Sequence, residues 1–153
     1  MSKKQNSTSL PSGYGDLFRD IRERVRTAQY AALKAVNTEL VGLYWDIGKM
    51  IVERQELETW GMSVVKRLSF DLRKEFSGLT GFSPQNLWYM RQFYLEYNGN
   101  ERLQPLVGEI AWSHNLAIMS KCKDPLEREF YIRMTRKFGW SKNVLIHHIE
   151  NQN

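Results

Sequence analysis

The chain has 153 residues, of which 42% are hydrophobic and 12% aromatic, enough for one medium domain or two small ones packed together. Lys and Arg number 22 against 17 Asp and Glu, and the formal charge of +5 with a pI near 9.4 favours polyanionic partners such as nucleic acid. A lone cysteine, Cys122, excludes an intrachain disulfide; no apolar run is long enough for a bilayer, and the polar start lacks a secretory segment, so a cytoplasmic protein without a membrane partner is expected.

Residues 1–13 are polar and carry Pro11 and Gly13, the composition of a disordered lead-in. The segment 14–58 then predicts one long helix or two nearly collinear ones, because no proline interrupts it. Phe18, Ile21, Val25, Ala28 and Ala32 follow one another at alternating steps of three and four. After a step of four to Val36 the pattern resumes at Leu40, Leu43, Ile47 and Met50. Alternating threes and fours form the narrow seam of a coiled coil, and the extra step is a stutter that locally unwinds it. The stripe widens near Val41, Tyr44 and Trp45, as in a helix packed within a domain or dimer, so the N-terminal helix is also a candidate seam for a homodimer.

The segment 59–98 reads as a helix-turn-helix-like module. Val64, Val65, Leu68, Leu72 and Phe76 keep helical spacing, with Lys66, Arg67, Arg73 and Lys74 elsewhere on the surface. The turn is Ser77-Gly78-Leu79-Thr80-Gly81. A second helix starts sharply: Ser83 is placed to cap it, Pro84 fits the first helical position, and Phe82 can pack on Leu87. Residues 103–150 form a second helical module. It opens with an irregular connection around Pro105 and Gly108 and continues with helix starts at Trp112-Ser113, Asp124-Pro125 and Trp140-Ser141. Two of those starts repeat the Phe82-Ser83 pattern of an aromatic, a serine placed to cap, then Asn and an apolar residue. The fold class expected is all-α: a long N-terminal helix, then two helical modules in one domain over 14–150.

Catalytic chemistry finds no footing. A PD-(D/E)xK nuclease core needs a carboxylate two residues before a lysine so that Mg²⁺ sits beside that lysine. The residues two before Lys34, Lys49, Lys66, Lys74, Lys121, Lys123, Lys137 and Lys142 are Ala32, Ile47, Val64, Leu72, Met119, Lys121, Thr135 and Trp140. Adjacent His147 and His148 point about 100° apart on a helix and are poorly placed to share a metal. Ser113 beside His114 reads as a cap, and no phosphate-binding glycine motif is present. No catalytic residue, metal site or cofactor is expected.

The helix after Pro84 carries the sharper signal. Leu87, Met90, Tyr94 and Tyr97 share an inward face with Phe93 at its margin, which leaves Gln85, Trp88, Tyr89 and Gln92 on the other side and Arg91 flanking it. Gln can bridge adenine N6 and N7, and aromatic side chains can contact thymine methyls or the backbone. Trp and Tyr are equally at home against another protein surface. Two readings follow. In the first, Lys66, Arg67, Arg73, Lys74 and Arg91 sit on phosphates while Gln85, Trp88, Tyr89 and Gln92 face a groove of duplex DNA. In the second, the aromatic pair meets another chain.

Several strings together are similar to the N-terminal helical domain of the bacterial YhcG family: Leu43-Tyr44-Trp45-Asp46-Ile47-Gly48-Lys49, Val64-Val65-Lys66-Arg67-Leu68-Ser69 with Asp71-Leu72, and Gly81-Phe82-Ser83 with Asn86-Leu87, Met90-Arg91 and Phe93-Tyr94. Trp112-Ser113-His114-Asn115-Leu116 and Gly139-Trp140-Ser141 extend the likeness over nearly all of 16–149. The resemblance implies a DNA-targeting or assembly module that precedes a C-terminal PD-(D/E)xK-type nuclease domain in related proteins. It carries over no catalytic residue, because the lysine spacing above lacks that core.

Overall fold

A computed structural model describes residues 10–58 and 61–151 of the chain. Of the lead-in expected at 1–13, residues 1–9 lie outside the described residues, as does Trp60 at the start of the expected two-helix module. All regular structure among the described residues is helical: α1 (Tyr14–Leu57), α2 (Met62–Glu75), α3 (Pro84–Tyr97), a 3₁₀ turn (Val107–Glu109), α4 (Trp112–Lys121), α5 (Pro125–Phe138) and α6 (Lys142–Glu150). The expected all-α class with a long first helix is what the chain adopts.

The chain divides into two compact units between Ala35 and Val36. In the first, every described side chain is exposed, and Phe18, Ile21 and Val25 each keep about half their surface. Its interactions are local: Tyr14 stacks on Phe18, Arg22 lies over the Phe18 ring at 5.6 Å, and Arg19 pairs with Asp16.

The second unit holds both cores. One gathers Phe93, Tyr97, Ile118, Met119, Cys122, Tyr131, Ile132 and Leu145 around Val41, and the other gathers Tyr44, Ile51, Val65, Phe82, Leu87 and Met90. Here α1 buries Val41, Tyr44, Gly48, Ile51 and Val52, a face rotated away from the expected Leu40-Leu43-Ile47-Met50 stripe; Leu43 and Met50 stay exposed. The rotation has a steric cause at Gly48. A Cβ there would stand 2.1 Å from the Met90 carbonyl oxygen, so only glycine lets α1 and α3 cross this closely. Gly81 is constrained twice, by a φ of 101° and by the Tyr44 hydroxyl, 2.1 Å from where a Cβ would be.

Helix ends follow local chemistry. Ser83 Oγ accepts from the Asn86 N–H at 3.1 Å, Ser141 Oγ from the Val144 N–H at 3.2 Å, and Asp124 caps α5, which stops at Gly139 in the left-handed region. Ser113 departs from its expected role. The α4 helix begins one residue earlier, at Trp112 after Ala111, and His114 does the work that a capping serine would do. His114 Nδ1 accepts from the Ala111 N–H at 3.2 Å, and its Nε2–H donates to the Trp140 carbonyl at 2.8 Å. With both ring nitrogens engaged, the imidazole is a strut between α4 and the start of α6.

A buried arginine closes the first of these cores. Arg128 Nε donates to the Cys122 carbonyl at 2.7 Å, while Nη2 reaches Glu96 at 2.6 Å and the Met119 carbonyl at 3.1 Å. Its guanidinium also covers the Tyr97 ring at 5.3 Å. These bonds satisfy the carbonyls that the end of α4 leaves open. Burial pushes both the Tyr97 phenol and the Cys122 thiol up to about 12. Cys122 is therefore an inert part of the core, as expected.

Candidate nucleic-acid interface

The nine sequence-derived contact residues fall on α2 and α3. On α2, Val65 and Ser69 are buried, and Ser69 Oγ donates to the Phe82 carbonyl at 2.6 Å, tying the helix to the connection that leads into α3. That anchoring turns Lys66, Arg67, Arg73 and Lys74 outward, all exposed, with exposed Phe70 among them. Two of them are engaged within their own helix: Arg67 pairs with Asp71 at 3.1 Å, and Arg73 Nε donates to the Ser69 carbonyl at 3.3 Å. The connection Phe76–Ser83 is longer than the three or four residues of an ordinary helix-turn-helix turn.

On α3, Leu87, Met90, Phe93 and Tyr97 are fully buried; Phe93 thus belongs to the core, and Tyr94 takes the margin that the spacing gave to Phe93. Phe93 moves inward because it packs edge-on against Trp45, Tyr97 and Trp112. The outward side splits into two groups. Trp88 and Arg91 form one: the guanidinium lies 5.0 Å over the indole, and Arg91 Nε donates to Gln55 Oε1 at 2.5 Å. Trp88 is half-buried against the second core, and its indole N–H is buried without an acceptor.

Gln85, Tyr89 and Gln92 form the other group. Gln85 Nε2 donates to the Tyr89 hydroxyl at 2.9 Å, and Gln92 Nε2 to Glu96 at 2.5 Å. Tyr89 and Gln92 line an open groove of about 540 Å³ whose opposite wall is α4 and α6. That wall supplies Lys121, Lys123 and Lys142, with Leu116, Met119 and Ile146 as its floor. Lys121 pairs with Glu150 at 2.9 Å, and Lys123 reaches the Met119 carbonyl at 3.0 Å. Three ammonium groups beside a tyrosine and a glutamine can hold phosphate and offer hydrogen bonds to a polar edge.

Sequence reading missed these lysines as a group because they come from α4, the link that follows it and α6, brought to α3 only by packing. One signal was available: Lys142 stands in the first turn of α6, where the helix dipole disfavours a cation, so another reason is needed for it. Arg133 and Arg136, by contrast, are paired with Glu129 at 2.8 Å and Glu109 at 2.6 Å. The described residues hold no group of three His, Cys, Asp or Glu suited to a metal, and no helix among them is long and apolar enough to cross a membrane.

Comparison with known proteins places the chain in context. The model of the DUF1016 N-terminal domain matches residues 20–153. A protein of Escherichia coli strain K12 named "Putative nuclease YhcG" is 32% identical over 108 residues, which is 68% of this chain and 28% of that protein. The chain thus spans well under a third of the length of that curated relative. No solved structure matches.

Proposed function

The chain belongs to the DUF1016 N-terminal domain family, the N-terminal domain of the nuclease-related YhcG family, and from that premise we propose that it is a duplex-DNA-binding module that targets a nuclease-related protein in the cytoplasm. Catalysis in such a protein falls to residues outside this chain. The observation that carries the reading is the groove in which Tyr89 and Gln92 of α3 face Lys121, Lys123 and Lys142. The lysines would neutralise phosphates, and Gln85, Tyr89 and Gln92 would meet base edges or sugars. The exposed basic face of α2 supports a second line of phosphate contacts at Lys66, Arg67, Arg73 and Lys74. Trp88 and Arg91, which stack on each other beside Gln55, favour a supporting role over direct contact.

The test is fluorescence anisotropy on a labelled random-sequence duplex across a salt series. Binding that weakens steeply with salt is the expected result, because phosphate contacts release counterions. Lys142→Glu should weaken binding on all sequences alike and reduce the salt slope by about 1. Gln85→Ala with Gln92→Ala should alter preference among sequences with that slope unchanged. No binding at low salt would overturn the proposal.

A further inference from the structure

The outward face of α2 holds one residue that phosphate contacts leave unexplained. Phe70 is 56% exposed. It stands one turn from each of four cations: Lys66 and Arg67 precede it by four and three residues, and Arg73 and Lys74 follow it by three and four. At ~100° per residue, Arg73, Lys66, Phe70, Ser63, Lys74 and Arg67 fill a continuous arc of about 120°, turned away from Leu68 and Leu72. The arc contains no carboxylate, since Asp71 and Glu75 lie beyond its Arg67 edge. Arg67 pairs with Asp71 across that edge, whereas Lys66 and Lys74 pair with no carboxylate among the described residues. Arg73 and Lys74 suit the C-terminal end of the helix dipole, but Lys66 and Arg67 stand in the first half of α2, where the dipole gives no such reason.

The ring itself is unclaimed. Phe18 and Phe138 are exposed too, but each lies beneath a cation and stacks on a neighbouring ring. Phe76 meets Phe82, Phe130 meets Tyr131, and Phe93 packs against Trp45, Tyr97 and Trp112. Of the seven phenylalanines, only Phe70 has neither a ring nor a cation against it among the described residues.

We propose that this face of α2 is a site for single-stranded DNA, in which an unpaired base stacks on Phe70 while Lys66 with Arg67 and Arg73 with Lys74 hold the phosphates on its two sides. Each cation pair stands about 4.5–6 Å from Phe70 along the helix axis, so the ring sits between two positive points as a base sits between two phosphates. Aromatic side chains accept any unpaired base, because every base has a π-face, and flanking cations track the strand. In a duplex those faces are already stacked and open only at the cost of unstacking. A lipid surface fits less well: a helix that lies on a membrane needs an apolar stripe, and Phe70 is the only apolar side chain in the arc. The choice of DNA rests on the function proposed above, but the site shares no residue with the lysine groove, so the two fail separately.

Fluorescence anisotropy of the 153-residue chain should show binding to a labelled oligothymidine of about 16 nucleotides. Phe70→Ala and Phe70→Leu should each weaken it roughly five- to a hundredfold. Phe70→Trp should keep or tighten it, because an indole stacks and a leucine does not. All three substitutions are at an exposed position, and far-UV circular dichroism checks that they leave the fold intact. Duplex affinity should be unchanged by them, and Lys142→Glu should weaken the duplex more than the oligothymidine. Oligothymidine binding without duplex binding would sink the groove reading and leave this site standing. Equal losses on both DNAs with Phe70→Ala, or full binding by Phe70→Leu, would overturn stacking. Tighter binding to an oligouridine of the same length would overturn DNA as the strand. No oligothymidine binding at low salt would overturn the site, and capture by phosphatidylserine vesicles through Phe70 would then assign the face to a membrane surface.

Discussion

The two stretches of α1 on either side of Val36 share a period but not a fate. From Leu10 to Ala35 every described side chain is exposed; from Val41 to Val52 the same helix buries five residues against α3 and its neighbours. Amphipathic spacing therefore announces that a face needs a partner without saying which. In the second unit the partner is the chain's own core, reached because Gly48 lets the α3 backbone approach. In the first, no described residue of its own unit covers the face.

The contrast can be broken most forcefully at the crossing. Gly48→Val should cost about 3 kcal/mol or more, since the new side chain must displace the Met90 carbonyl, and thermal melting should show the loss or an unfolded second unit. An unchanged melting temperature would mean the crossing is looser than 2.1 Å implies. Leu87→Ala, at a fully buried site, should cost about 2–5 kcal/mol by denaturant titration. Val25→Ala in the first unit should stay within about 0.5 kcal/mol by the same titration. Equal costs for the two would erase the distinction between the units.

Acid sharpens it further. Burial lowers the His114 pKa below its ordinary 6.5, with the Trp140 carbonyl opposing in part. The unfolded chain then takes up the proton at higher pH than the folded one, so this contribution is complete above about pH 6.5 and is lost as pH falls through and below that value. The melting temperature of the second unit should decline over that range, and His114→Gln should flatten the decline. The smallest effect is expected at Gly42, which a Cβ would leave in open space: Gly42→Ala should stabilise α1 by about 0.5–1 kcal/mol, seen as a small rise in helix melting.

Much of the candidate interface was legible because its parts are local. The Ser83 cap and Pro84 start of α3 follow from adjacent residues, and the period of α3 alone turns Gln85, Tyr89 and Gln92 outward. Phe93 and Tyr94 exchanged places because period assigns a margin only to within one residue, and the ring contacts of Trp45 and Trp112 decided between them. Ser113 was misread for a related reason: the pattern of aromatic, serine and asparagine is the same at three helix starts, but at α4 His114 takes over the capping contact.

The amino-acid sequence by itself determined that the chain is all-helical, where most of its helices start and stop, that one stripe of α1 seeks a partner, and which family it belongs to. These depend on interactions within a few residues: caps, prolines, glycines and the helical period. Tertiary structure alone decided that α1 buries the Val41-Gly48-Val52 face and leaves Leu43 and Met50 outside, and that Lys121, Lys123 and Lys142 gather opposite Tyr89 and Gln92. Those outcomes depend on which backbones can approach one another, a steric condition between residues some 30 to 50 positions apart that no local pattern encodes.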